Sequence, residues 1–413
     1  MKIVDSLIAF GHRVARRLRR EFLGERNLPV AVVEDVFGYV TEIPFGSSVS
    51  IDDVQDDTIN WIMPDFGIGS GGYLNIFRMI SRLQKLGFQS RIVIPELVWS
   101  KSADDAAERI NEHFLKLDAP VYVGRENIPA ACFSFATAWT TAYYLRDFQS
   151  TVHKCYFVQD FEPYFYARST ESVLSEETYR FGFKGFAAGD WLASKLVDEY
   201  GMDVEKFRFS YDKDRYYEPS RRREPSNKIL FYSRPPTPRR GFELGYLALK
   251  QLLALKPDVQ VLMAGWDISN YKLPNGMENL GIVPLKDLRD LYQQCDAALV
   301  LSFTNLSLVP LELMACGCPV ISNKGENVEW ILNDEIATLA EPTVHGIVTA
   351  LLKVIDDRAG AERKADAALS YVQSTDWDIE SAKIAASLRS MNERERQAVV
   401  RKETRNAQLQ SRV

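Results

Sequence analysis

The sequence contains no run of about eighteen uncharged apolar residues, so it offers no helix long and apolar enough to cross a membrane. Its first residues lack the uninterrupted apolar core and small-residue cleavage site of a secretory signal. Cysteine is scarce, with five residues at 132, 155, 295, 316 and 318. None forms a CxxC pair or joins a Cys/His cluster, which argues against a zinc site and a disulfide framework. A reducing, cytoplasmic compartment is therefore expected, with no metal and no cofactor beyond a substrate. Histidine is also sparse: His12, His113, His153 and His345 fall in no triad or ligand pattern, and all four read as structural. Excess positive charge is missing too. A formal net charge of -6 argues against nucleic acid as a general partner.

What is present is a globular composition, 46% hydrophobic and 26% charged, in 413 residues. That length suits two α/β domains rather than one core. Residues 1–28 read as a basic amphipathic helix. Val4, Leu7, Ile8, Gly11, Val14, Ala15, Leu18 and Phe22 share one face, with most arginines opposite. Such a helix can lie on an anionic membrane surface, or pack on the protein body or on a partner, and these readings stay open. Val30–Val40 looks β-prone, and the acidic stretch Ser47–Thr58 looks like a loop.

From residue 59 the pattern repeats as strand, loop and helix. Strands are expected at Ile59–Met63, Arg91–Ile94, Pro120–Val123, Ala131–Phe135, Lys154–Val158 and Lys184–Ala187. The polar, proline-bearing run Glu218–Ser226 reads as a linker. A second series follows at Lys228–Ser233, Gln260–Ala264, Ala297–Ser302 and Pro319–Ser322. Helices are expected near Gly241–Leu255, Leu285–Gln294, Pro310–Cys316 and Val344–Asp356. This alternation implies two parallel, doubly wound sheets, in 29–218 and 227–376. Ligands bind at the carboxyl ends of such strands, and two facing sheets would enclose a central cleft. A helix is expected near Asp378–Met391. The polar tail from residue 392 is expected to fray.

Four stretches carry chemistry. In Pro64-Asp65-Phe66-Gly67-Ile68-Gly69-Ser70-Gly71-Gly72, glycines let backbone approach a ligand and a helix N-terminus offers N–H groups to an anion. It is not a dinucleotide fingerprint, and it can also be an ordinary strand-to-helix turn. In Phe231-Tyr232-Ser233-Arg234 and on to Arg239-Arg240-Gly241, guanidiniums collect at a strand's carboxyl end. Arginine there can hold a diphosphate as it departs, and three prolines stiffen the loop; a solvated basic turn is the plain alternative. In Leu301 to Ser322, strand, loop, helix, glycine stop and strand follow in order. Glu312 in the early turns can accept from ribose hydroxyls, while the N–H groups of Leu306, Ser307 and Leu308 can meet phosphate. Taken alone, Glu312 could simply favour the helix dipole. In Lys154 to Tyr166, a buried strand runs into Gln159, Asp160, Phe161, Glu162 and Tyr164, residues that can bind sugar hydroxyls or stack on sugar faces. An aromatic core with one capping carboxylate fits the same pattern.

The run Glu312-Leu313-Met314-Ala315-Cys316-Gly317-Cys318-Pro319-Val320-Ile321 resembles the signature of retaining glycosyltransferases of family four, which have the GT-B fold of two Rossmann-like domains. In that family a second Glu stands eight positions before the first of these residues. Here the position is Thr304, a departure that puts the usual donor-sugar preference in question. Arg234 and Arg240 match the family's phosphate-binding Arg and Lys. The sequences YFVQDFEPYFY and SGGYLNIFR are similar to a narrower group, the WsaF-type rhamnosyltransferases of bacterial surface-glycan assembly.

The resemblance implies transfer of L-rhamnose from dTDP-β-L-rhamnose to a saccharide acceptor, with retention and without a protein nucleophile. The acceptor can be lipid-linked, and a homodimer is left open. The GT-B resemblance also implies that, within 377–413, the helix near Asp378–Met391 crosses back to the first domain. The expected donor-binding set is Gly71, Gly72, Arg234, Arg239, Arg240, Gly265, Ile282, Thr304, Asn305, Leu306, Ser307, Leu308 and Glu312. The expected acceptor-binding set is Gln159, Asp160, Glu162 and Tyr164. Arg234, Arg240, Glu312 and Asp160 are the expected catalytic residues. Two rivals stay in view: a nucleotide-sugar epimerase, and a non-catalytic saccharide-binding scaffold held at the inner face of the cell membrane by residues 1–26.

Overall fold

The computed structural model describes residues 32–219 and 225–410. The expected basic helix at 1–28 and the centre of the expected linker lie outside the described residues. Two sheets carry the fold. The first orders its strands β3-β2-β1-β4-β5-β6-β7. These are β1 Thr58–Ile62, β2 Gln89–Ile94, β3 Val121–Val123, β4 Ala131–Ala136, β5 Thr151–Val158, β6 Lys184–Ala188 and β7 Val204–Phe207. The second sheet is β10-β9-β8-β11-β12-β13. It comprises β8 Lys228–Tyr232, β9 Gln260–Ala264, β10 Met277–Gly281, β11 Ala297–Leu299, β12 Val320–Asn323 and β13 Thr338–Ala340.

Both sheets start in the middle, wind outward and then return to the other side of the first strand. The reversal falls between β1 and β4 in one and between β8 and β11 in the other, where the pairing is parallel on both sides. Such a reversal opens a crevice at the carboxyl ends of the central strands. In the second sheet that crevice receives the segments after β8 and β11, which contain Arg234 and Thr304. The doubly wound α/β class expected from the alternation is the one observed.

The chain packs as two compact units, one of residues up to Tyr156 together with those from Glu395 onward, the other Phe157–Arg394. In the first unit, Trp61 of β1 stacks on Phe135 of β4 at 4.6 Å, and Ile59, Ile62, Ile92 and Val93 are fully buried. In the second, Ile229, Phe231, Val261, Met263 and Leu299 meet helices Phe242–Leu255 and Val344–Asp356 through Leu249, Leu252, Ile347 and Leu351. Gly245 lets the first of these helices close on the sheet, since a Cβ there would run into the Phe231 ring.

Three strands went unread in the sequence. β7, β10 and β13 lie at sheet edges and are short, and no more than half of β7 and β10 is apolar, so they show no buried-strand pattern. Two expectations are overturned. Val30–Val40 is not a strand where described: Glu34–Phe37 is helical and Gly38–Val40 a 3-10 turn. Tyr39 packs among Trp139, Tyr143 and Tyr144 at 5.8 to 6.0 Å, so tertiary contact overrides the β propensity of the valines. Nor does the tail fray at 392, because one helix runs Trp377–Gln410. Its composition favours helix, and Arg396 pairs with Asp56 at 2.6 Å and Asp52 at 3.5 Å.

Candidate active site

β5 ends at Val158, and the chain then turns through Gln159 and Asp160 into the 3-10 helix Glu162–Phe165. Asp160 is 8% exposed, and a carboxylate so placed needs partners. Oδ1 accepts from the backbone N–H of Phe161 at 2.8 Å and of Asn305 at 2.8 Å. Oδ2 accepts from the Thr304 hydroxyl at 2.9 Å. Two guanidiniums complete the set: Arg239 Nε lies 3.4 Å and Arg240 Nη2 3.9 Å from Oδ2. Residues expected on the acceptor side and on the donor side are therefore one network.

The loop after β11 is fixed from several directions. Asn305 donates to the carbonyls of Gln159 at 2.9 Å and Ala188 at 2.7 Å. Arg240 Nη1 donates to Ser302 Oγ at 2.6 Å and the Asn305 carbonyl at 3.1 Å, and the residue is 8% exposed. Its guanidinium is thus part of the loop's scaffold. Asn323, ending β12, accepts from the Ser302 N–H and donates to the Ser302 carbonyl, each at 2.8 Å. Asn327 donates to the carbonyls of Ser302 and Thr304. Gly241, at φ +59, lets the 3-10 helix Pro238–Arg240 turn into helix Phe242–Leu255 beside Phe303.

Arg239 is held mainly by a ring and a nearby charge. Its guanidinium carbon sits 3.7 Å from the Phe165 ring centroid, and Nε makes no hydrogen bond although Asp160 is near. Burial, opposed by Asp160 but reinforced by Arg240 and Arg234, pushes its pKa down to about 10. It stays protonated at neutral pH, and an added anion would stabilise that charge. Arg234 follows β8 directly, 5.8 Å from the Trp266 ring centroid. Asp160 thus faces two of these guanidiniums, Arg239 and Arg240, and Arg234 adds a third positive charge near Arg239.

Glu312 lies in helix Val309–Ala315 and is 9% exposed. It accepts from the Tyr292 hydroxyl at 3.2 Å, and Tyr292 stacks on Tyr216 at 5.9 Å. Burial and then the Glu312 charge push the Tyr292 phenol well above its usual range. Leu306 is buried, Ser307 and Leu308 are half-buried, and the Ser307 hydroxyl has no hydrogen-bond partner. Gly265, at φ +122, passes within 3.0 Å of the Ser233 carbonyl if given a Cβ, and Ile282 is 54% exposed just after β10. Glu162 is buried with its N–H donating to Tyr179, while Tyr164 is exposed with its ring 4.7 Å from Phe161. Gly71 and Gly72 open helix Gly71–Lys85 in the first unit.

Sequence reasoning missed Asn323, Asn327 and Tyr292. The asparagines were discoverable in principle, because Ser-Asn-Lys-Gly-Glu-Asn after an apolar strand puts polar side chains at a carboxyl end. Tyr292 gave no signal in its own helix. A cavity of about 130 Å³ bordered by Asn227, Asp296, Pro319 and Arg358 lies at the amino ends of β8, β11 and β12, and Tyr292 also lines it. Among the described residues no group of three His, Cys, Asp or Glu could hold a metal, and no helix is long and apolar enough to cross a membrane.

Residues 227–352 match the family model described as WsaF, C-terminal domain. The O-antigen biosynthesis protein RfbC of Myxococcus xanthus is 33% identical over 348 residues, 80% of this chain and 27% of that protein. The chain thus spans about a quarter of the length of this curated relative. Among solved structures, sucrose-phosphate synthase from Thermosynechococcus elongatus superposes with a TM-score of 0.66 at 13% identity, covering 81% of this chain and 99% of its own. Anabaena HepE in complex with UDP and glucose gives 0.62 at 16% identity, covering 80% and 99%. These structures show the fold, two Rossmann-like parallel-sheet domains of the GT-B glycosyltransferase type.

Proposed function

We propose that this chain is a glycosyltransferase of bacterial surface-glycan assembly, taking a sugar from a nucleoside diphosphate. The observation that carries the reading is the cluster of Arg234, Arg239 and Arg240 at the β8/β11 reversal, with Asp160 beside Arg239 and Arg240 and Glu312 on the helix that follows β11. That arrangement suits a ligand with at least two negative charges and a vicinal diol. The match to the WsaF domain and the name of the Myxococcus relative support the glycan class. In this reading L-rhamnose from dTDP-β-L-rhamnose is the donor sugar, transferred with retention to a saccharide acceptor.

Arg234 and Arg239 neutralise the departing diphosphate, which lowers the barrier because the charge develops where cations already stand. Arg240 and Asp160 position the Ser302–Asn305 loop. Glu312 accepts from the ribose hydroxyls while Tyr292 holds one of its oxygens. A donor phosphate oxygen takes the acceptor proton as the new glycosidic bond forms on the face the diphosphate leaves.

A thermal-shift panel of dTDP, UDP, GDP and ADP, followed by their sugar derivatives, tests the reading. Raised melting temperatures with nucleoside diphosphates, reduced in Arg239→Gln, are expected. No shift with any of them would remove the proposal.

A further inference from the structure

Asp65, after β1, is 6% exposed and lies outside the network above. Its carboxylate accepts five hydrogen bonds: from the N–H groups of Phe66 at 2.8 Å, Val98 at 2.8 Å, Trp99 at 2.6 Å and Ser100 at 2.7 Å, and from Ser100 Oγ at 2.8 Å. Three successive amides of the loop after β2 are thereby tied to the end of β1. The loop is held at both flanks, since Glu96 accepts from the Tyr144 hydroxyl at 2.6 Å and the Lys101 N–H donates to Asp105 at 2.9 Å. Yet this rigid loop does not bury its largest side chain. Trp99 is 48% exposed, and a Cβ added at Gly67 would lie 4.0 Å from its ring system, so the glycine leaves that side of the indole open.

We infer that Trp99 is a saccharide platform, stacking on one pyranose face at the carboxyl ends of β1 and β2. The inference rests on the glycosyltransferase reading and assigns part of the acceptor's recognition to this loop. An indole offers a sugar's C–H face a large apolar surface with two torsions to freeze. Asp65 has already fixed the backbone, so little further ordering opposes binding. Charge separates this occupant from others. Across residues 95–109 the carboxylates Glu96, Asp104, Asp105 and Glu108 outnumber Lys101 and Arg109, which does not suit an anionic lipid surface.

Saturation-transfer NMR on the full chain tests it, with methyl α-L-rhamnopyranoside, methyl α-D-glucopyranoside and methyl α-D-mannopyranoside added one at a time. The expected result is saturation of ring protons of at least one glycoside, about fivefold weaker in Trp99→Ala and largely kept in Trp99→Phe. The dTDP thermal shift should be the same in all three proteins. Equal saturation in Trp99→Ala, or none in the wild type, overturns the platform. A wild type that binds no nucleoside diphosphate fails the glycosyltransferase reading instead, whatever the glycosides do.

Discussion

Asp65 and Asp160 both stand two or three residues beyond a strand, both are followed by a buried phenylalanine, and both accept at 2.8 Å from that residue's own N–H. Their exposures are 6% and 8%. The local device is the same, but the remaining partners differ. Asp65 meets only neutral donors, the amides and hydroxyl of Val98 to Ser100. Asp160 meets one amide and one hydroxyl from the Thr304–Asn305 turn and then two guanidiniums. A carboxylate among neutral donors builds a fixed scaffold. One among cations also sets the charge that a ligand meets, so its removal should disturb both stability and binding.

That difference is open to direct attack. Asp160→Ala should have the largest effect on stability, on the order of 3 kcal/mol by urea denaturation, because it leaves Arg239 and Arg240 buried beside no counter-charge and strands the Asn305 amide. Asp65→Ala should lose less, about 2 kcal/mol, since only neutral donors are orphaned. The reverse order would end the comparison. On turnover, Arg234→Ala should lower kcat by about 100-fold with the melting temperature nearly unchanged. A wild-type rate would reduce the guanidinium cluster to a surface turn. Glu312→Gln keeps an acceptor for Tyr292 but removes the charge, and should weaken dTDP binding by about tenfold in calorimetry. Unchanged affinity would detach Glu312 from the ribose.

The two regions were not equally legible. The strand-helix alternation and the central strands of each sheet stand out because buried parallel strands are apolar throughout. Arg234, Arg239, Arg240 and Glu312 could be singled out since charged residues at strand ends are conspicuous. What pairs with what could not be read. Asp160 and Thr304 are 144 positions apart, and only the fold brings them to 2.9 Å. Arg240 is conspicuous as a strand-end cation, but its hydrogen bonds to Ser302 and Asn305 could not be read, because they depend on how the loop after β11 closes. Asp65 was visible only as one residue of a glycine-rich loop. Its real partners come from the loop after β2, which no local pattern announces.

The smallest expected effect isolates Asp65 by pH. Burial alone would raise its pKa, but the hydrogen bonds from Ser100, Val98 and Trp99 outweigh it and leave the group below the ordinary carboxylate value. A carboxylate whose folded pKa lies below its unfolded one binds more protons when unfolded. Its contribution to stability is therefore present above the unfolded value of about 3.9 and is lost as pH falls through the folded one. Asp65→Asn cannot titrate, so it should be less stable than the wild type at pH 6 and should lose less on acidification. Urea midpoints between about pH 6 and pH 3 should converge for the two proteins as pH drops. The other carboxylates titrate alike in both, so the difference reports this group alone. Parallel midpoint curves would mean that the tie between β1 and the Trp99 loop holds by shape and amide geometry, with the negative charge adding nothing.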